Sequence, residues 1–261
     1  MNPPTHWPEY LMEVAGLGAF MVSAAAMTTV LEHPASPVRE LLASSPVIRR
    51  ALMGLAMGLT SAALVYSPWG RRSGAHLNPA VTLTFLRLGK ISRRDAIWYS
   101  CAQFAGGVVG IAIAALVLGQ WISHPAVNYV VTAPGTLGAR VAFIAEAGIS
   151  FLLMLVVLSS SNHAPIARFT GVIVACLIAC FVTVEAPFSG TSMNPARTLG
   201  PDVVGAVWRG LWIYFLAPPL GMLAAAEVYL RARRGRSIRC AKLHHDDGPC
   251  IFGCGGQVHV T

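Results

Sequence analysis

Long runs without a charged side chain decide what this 261-residue chain can fold into. They cover residues 14–31, 51–70, 96–139, 147–167, 169–184 and 210–226. A helix crossing a bilayer needs about 20 mostly apolar residues, with a range of about 17–25. The run 96–139 is interrupted between Gly119 and Pro134 by His124, Pro125 and Asn128, so it supplies one helix, over 95–119, and then a loop. Six spans result. The uncharged run 73–86 is too short to span and fits a re-entrant segment. The predicted fold class is an all-α membrane protein with six transmembrane helices. Composition agrees: 55% of residues are hydrophobic and 11% charged, against about 25% charged in a soluble domain. Disorder, collagen and a small disulfide framework are excluded by the same numbers.

Orientation follows from Lys and Arg. With the N-terminus inside, 13 of the 19 fall on inner segments and 5 on outer loops; Arg197 lies within the membrane. This positive-inside bias puts both termini in the cytoplasm. The net charge of +8 then reads as flanking charge and not as a nucleic-acid surface. The opening MNPPTHWPEY has no basic n-region or cleavage site, so no signal peptide is expected.

The chain also repeats itself. Residues 76–83 read HLNPAVTL and residues 192–199 read SMNPARTL. Tyr99 and Gly106 follow the first motif as Tyr214 and Gly221 follow the second, while Glu13 and Glu146 open the first and fourth spans. Each half therefore reads helix, helix, Asn-Pro-Ala segment, helix. Three spans per half force opposite orientations, which makes an inverted repeat. The predicted division is 1–120 (first repeat), 121–138 (outer loop), 139–231 (second repeat) and 232–261 (tail).

Each Asn-Pro-Ala (Asn78, Pro79, Ala80; Asn194, Pro195, Ala196) suits a helix start. Asn is a favoured N-cap, Pro is tolerated in the first turn, and Ala allows close packing. Short helices are expected over 81–88 and from Arg197 to about Val203. The residues leading in are Gly74, Ala75 and His76 in one half, and Gly190, Thr191 and Ser192 in the other. They must be non-helical at membrane depth, which is tolerated only beside protein or a watery cavity. Their carbonyls form a ladder of acceptors. Two half-helices entering from opposite faces put both positive ends near the midplane. Arg197 is an intramembrane charge, costly to insert and so functional by default; a purely local cap or a pairing with Glu185 is the alternative.

GAHLNPAVTL, SGTSMNPARTLGP, the two Glu helix starts and WIYFLAPPLG resemble the aquaporin (major intrinsic protein) family over roughly residues 8–231, in its bacterial water-channel-like subgroup. The resemblance implies two re-entrant half-helices and a homotetramer in the plasma membrane with one pore per subunit. It implies no cofactor and no enzyme activity. It also implies that Glu13 and Glu146 brace the re-entrant loops. The implied selectivity filter is Met57, Val182, Thr191 and Arg197. Water-selective members usually carry an aromatic residue and a His where Met57 and Val182 stand, so this filter is less polar and less tightly closed. The scaffold points back toward water: Thr198 stands where glycerol facilitators carry Asp, and the Tyr214–Phe215 pair is kept, although Asp202 is not the small residue of a water channel. The implied function is a passive channel for water that also admits a small neutral solute (ammonia, urea, hydrogen peroxide or glycerol). Two alternatives stay open, a small-solute facilitator with low water flux and a junction tetramer with a closed pore.

Other residues have simpler readings. Gly106, Gly107 and Gly221 fit close helix contacts. Cys101, Cys176 and Cys180 are expected to pack inside the spans, with Cys180 close enough to Val182 for a thiol reagent to reach the pore. His76 is expected to pack its loop or to act as a pH gate. The tail reads CAKLHHDDGPCIFGC over residues 240–254. Cys240, His244, His245, Cys250 and Cys254 are zinc-type ligands in a spacing that matches no named finger, and cytoplasmic thiols are expected to stay reduced. A disordered tail held at lipid headgroups and redox control are the other readings.

Overall fold

A computed structural model of the protein describes residues 5–232, 238–244 and 250–252. Among the described residues the regular structure is entirely helical. Six helices are long and apolar enough to cross a membrane: α1 (Trp7–Glu32), α2 (Pro46–Tyr66), α4 (Arg93–Leu118), α5 (Gly138–Ser161), α6 (Thr170–Ser189) and α8 (Leu211–Ala232). Between them lie two short ones, α3 (Pro79–Arg87) and α7 (Pro195–Gly205). Six crossings return the chain to the face on which it began.

Local chemistry sets the helix starts. Pro46, Pro79 and Pro195 each occupy the first turn of their helix, where a missing N–H costs nothing. Asn78 and Asn194 are N-caps in extended conformation; their side-chain oxygens accept from Ala80 N at 2.9 Å and Ala196 N at 3.0 Å. Ser92 caps α4 by accepting from Asp95 N at 3.0 Å and donates to Asp95 Oδ2 at 2.7 Å.

The helices pack as inverted pairs. α1 lies along α4 and α5 along α8; α2 meets α6 across the middle; α3 rests on α8 and α7 on α4. The contacts are backbone to backbone at glycine. A Cβ on Gly106 would strike the Val14 carbonyl, one on Gly107 the Ala196 carbonyl, and one on Gly221 the Ala147 carbonyl. Leu, Ile and Val side chains such as Leu59, Leu116, Ile144, Val184 and Leu220 remain exposed on the outside of the bundle. All six Trp are also exposed, and all sit at helix ends. Trp7, Trp69 and Trp98 mark the face of the termini; Trp121, Trp208 and Trp212 mark the opposite one. Two aromatic belts around an apolar band are the signature of a protein seated in lipid.

The helix bounds depart from the charge-free runs in an instructive way. Glu13 and Glu146 do not open their helices. α1 and α5 begin more than a turn earlier, at Trp7 and Gly138, and both carboxylates accept hydrogen bonds inside the protein. The run 51–70 is split at Ser67: Pro68 keeps its predecessor extended, and a short helix, Pro68–Ser73, follows. The half-helices start at the prolines, earlier than 81 and 197. The loop between α4 and α5 holds a helical turn, Gln120–Ser123. Cys101, Cys176 and Cys180 are exposed and not packed within the spans, and Cys180 does not line the central cavity. Their helices turn these positions outward, where a small thiol is as acceptable to lipid as it is to a core.

Candidate functional site

Two non-helical segments run into the bundle, 74–78 ahead of α3 and 190–194 ahead of α7. Their backbone is unusual. Gly74 and Gly190 have φ of 92° and 83°, and the non-glycine residues Ala75, Leu77, Thr191 and Met193 all lie between 49° and 54°. Left-handed conformations at such residues are costly and persist only where the surroundings enforce them.

The enforcing groups are the two buried glutamates. Glu13 Oε1 accepts from Ser73 Oγ at 2.7 Å and His76 N at 3.2 Å; its Oε2 accepts from Leu77 N at 2.6 Å and Gln103 Nε2 at 2.7 Å. Glu146 repeats the pattern 116 residues along the loop numbering: Oε1 accepts from Ser189 Oγ at 2.7 Å and Ser192 N at 2.6 Å, and Oε2 accepts from Met193 N at 2.7 Å. Tyr99 and Tyr214 donate to the Ser73 and Ser189 carbonyls at 2.7 and 2.6 Å. With their N–H groups turned toward the glutamates, the loops have carbonyls left for the other side.

The two Asn-Pro-Ala motifs meet at the centre. Asn78 Nδ2 donates to the Met193 carbonyl at 2.8 Å, and Asn194 Nδ2 donates to the Leu77 carbonyl at 2.8 Å. A side-chain amide has two N–H donors. Each Asn thus commits one to the opposite loop and keeps one for a guest.

Both motifs border a cavity of about 250 Å³. Met57, Val182, Thr191 and Arg197 line it, as do Asn78, Asn194, Ala75, His76, Gly190 and Ser192. Of the expected ladder, Gly74 does not line it. Pro79, Ala80, Pro195 and Ala196 lie behind the wall as helix starts, and Asp202 is fully buried in α7 away from it. The opposite wall is apolar, with Phe20, Met53, Val81, Leu153 and Ile178. A passage with donors and acceptors on one side and hydrocarbon on the other suits a small neutral hydrogen-bonding guest.

Arg197 donates from Nη1 to the Val130 carbonyl at 3.2 Å. That carbonyl belongs to the loop turn Asn128–Val130, whose residues have φ of 44°, 51° and 61°. For β-branched Val130 this is an outlier, and its effect is to deliver an acceptor to the guanidinium. Among the described residues Arg197 has no ion pair with Glu185. Glu185 instead accepts the Thr191 hydroxyl. Sequence reasoning missed both contacts, since neither Val130 nor Glu185 carries a motif. It also missed the mouth on the face opposite the termini, where Glu32, Arg49 and Arg50 line the cavity. Two adjacent Arg beside a Glu at the ends of neighbouring spans was the available signal.

Of the tail's candidate ligands, His245 and Cys254 lie outside the described residues. Cys240 and Cys250 have Sγ atoms 3.4 Å apart. Cys240 is disulfide-bonded, against the expectation of reduced thiols. His244 packs on Tyr66 with ring centroids 5.0 Å apart. Among the described residues no three His, Cys, Asp or Glu converge on a metal-sized site.

Comparison with known proteins settles the lineage. The profile of the major intrinsic protein family matches residues 4–229. The chain belongs to the major intrinsic protein family. It is therefore a multi-pass membrane protein, as its apolar band and Trp belts require. It is 38% identical over 174 residues to a putative aquaporin NIP4-1 of Arabidopsis thaliana, covering 66% of this chain and 59% of that one. It is 36% identical over 203 residues to aquaporin NIP3-1 of Zea mays, covering 76% and 64%. The matched part thus spans about six tenths of the length of these curated relatives. They are plant NIP-type aquaporins, so the bacterial water-channel-like subgroup finds no support. The aquaglyceroporin structure from Plasmodium falciparum superposes with a TM-score of 0.73 at 20% identity, covering 86% of this chain and 96% of that one, and shares the major intrinsic protein fold.

Proposed function

We propose that the protein is a passive channel for water and small neutral solutes, acting as a homotetramer in the plasma membrane with both termini cytoplasmic. The observation that carries this reading is the pair of Asn amides at the cavity centre, each bound to the opposite loop and each with one N–H left over. A water at that point accepts from both Asn and must turn its own hydrogens toward its neighbours along the path. No proton can then be relayed through it, and the two half-helix N-termini repel cations. Arg197 adds a fixed positive charge beside the cavity. The Lys and Arg bias supports cytoplasmic termini. Enzyme chemistry is disfavoured because the polar groups at the cavity are engaged in holding backbone.

The filter supports admission of solutes larger than water. Met57 is flexible and apolar, and Val182 offers no donor. The proton of the Thr191 hydroxyl is taken by Glu185, which leaves Arg197 as the filter's side-chain donor. Urea, ammonia, hydrogen peroxide and glycerol are the solutes to try. The test is stopped-flow light scattering on proteoliposomes of the full chain, beside Val182→His and Arg197→Val. Water flux above that of protein-free liposomes, with solute uptake that Val182→His abolishes, is the expected result. Water flux at the protein-free rate, in the full chain and in a chain ending at Ala232 alike, would defeat the reading.

A further inference from the structure

One residue of the described tail, Leu243, reaches the cavity from the face of the termini. Leu243 is buried and forms part of the cavity wall beside Val81, Val157 and Val174. Its N–H donates to the Gly74 carbonyl at 3.1 Å. Gly74 opens the first re-entrant loop, one residue before its cavity-lining part begins at Ala75. Two residues earlier, the Ala241 carbonyl lies 2.8 Å from His76 Nε2. A carbonyl only accepts, so Nε2 carries the proton, and the other ring nitrogen of neutral His76 accepts from Thr82 Oγ1 at 3.0 Å. The polar edge of this loop is thus occupied by tail backbone.

Other contacts fasten the same segment. The Phe252 ring stacks on His76 at 5.5 Å and 7°. Arg239 N donates to Asn162 Oδ1, beyond the end of α5, at 2.7 Å. His244 meets Tyr66 at the end of α2. Ile238, Ala241 and Leu243 are buried and belong to the same apolar cluster as Val65, Leu153 and Val174. The segment therefore crosses the mouth from α5 to α2 and sets an apolar side chain into it.

We propose that residues 238–244 and 250–252 act as a plug: the mouth on the face of the termini is a binding site for the chain's own tail, and docking of Leu243 and Phe252 sets the resting permeability. The proposal rests on the channel reading. A solute passing this mouth needs the space held by the Leu243 side chain in the cavity wall, so docking and conduction exclude each other.

The test reconstitutes three proteins at matched density: the full chain, the full chain with Leu243→Ser and Phe252→Ala, and a chain ending at Ala232. Each is first checked for elution as the same oligomer. Losing the buried Leu243 side chain and the half-buried Phe252 ring should shift docking enough to raise water permeability per channel about tenfold, with the ranking of solutes unchanged. Should the truncated chain fail to fold, the double variant decides alone. Equal, rapid shrinkage of the full chain and the double variant would overturn the plug and leave the channel reading intact. Shrinkage at the protein-free rate in every version would overturn both.

Discussion

Glu185 accepts the hydroxyl proton of Thr191, and Thr191 lines the cavity beside Arg197. A filter side chain is thus oriented by a buried carboxylate that does not line the cavity. Glu185→Ala should release Thr191 and change the ratio of urea to water flux by about two- to tenfold, the worth of one ordinary hydrogen bond. Glu185→Gln keeps an acceptor and should stay close to wild type. Paired urea-uptake and osmotic-shrinkage rates for both variants check this.

Val182→His puts a donor and added volume opposite Arg197. Glycerol and urea uptake should fall to the protein-free level while water flux persists. Isotope uptake beside light scattering reads the two separately.

Glu13→Ala removes four acceptor contacts from the first re-entrant loop and leaves the His76 and Leu77 N–H groups buried without partners. An unsatisfied buried donor costs about 1–3 kcal/mol, so this variant should lose about 3–5 kcal/mol of stability. Glu13→Gln, which preserves an acceptor oxygen, should lose less. Thermal unfolding in detergent, followed by helical circular dichroism, checks the order.

Gly221→Val drives a branched side chain into the Ala147 carbonyl and the backbone of Phe151. α8 and α5 cannot separate without breaking the core between them. The expected outcome is loss of folded, membrane-inserted protein. Fluorescence-detected size exclusion of a tagged variant should show aggregate in place of the wild-type peak.

Much of this was legible in the sequence because membrane physics is strict. Only helices satisfy their own backbone in hydrocarbon, so charge-free runs mark spans, and a repeated Asn-Pro-Ala marks the only tolerated breaks. Met57, Val182, Thr191 and Arg197 line one cavity, at the positions the family resemblance implied. What the sequence hid depends on geometry without a motif. The Val130 carbonyl reaches Arg197 only because three successive residues turn left-handed. Glu13 sits inside α1 because loop N–H groups approach it from residues 76 and 77. The tail reads as a loose Cys/His segment, yet Leu243 and Ala241 bond to the first re-entrant loop. No periodicity links residues so far apart.

The most direct measurement of the central claim is osmotic shrinkage of proteoliposomes by stopped flow, over a range of temperatures, with a pH-sensitive dye inside. The account predicts water flux well above protein-free liposomes, with the shallow temperature dependence of water moving through a pore, and no faster collapse of a proton gradient. Shrinkage no faster than bare lipid, in the full chain and in Leu243→Ser/Phe252→Ala alike, would contradict it.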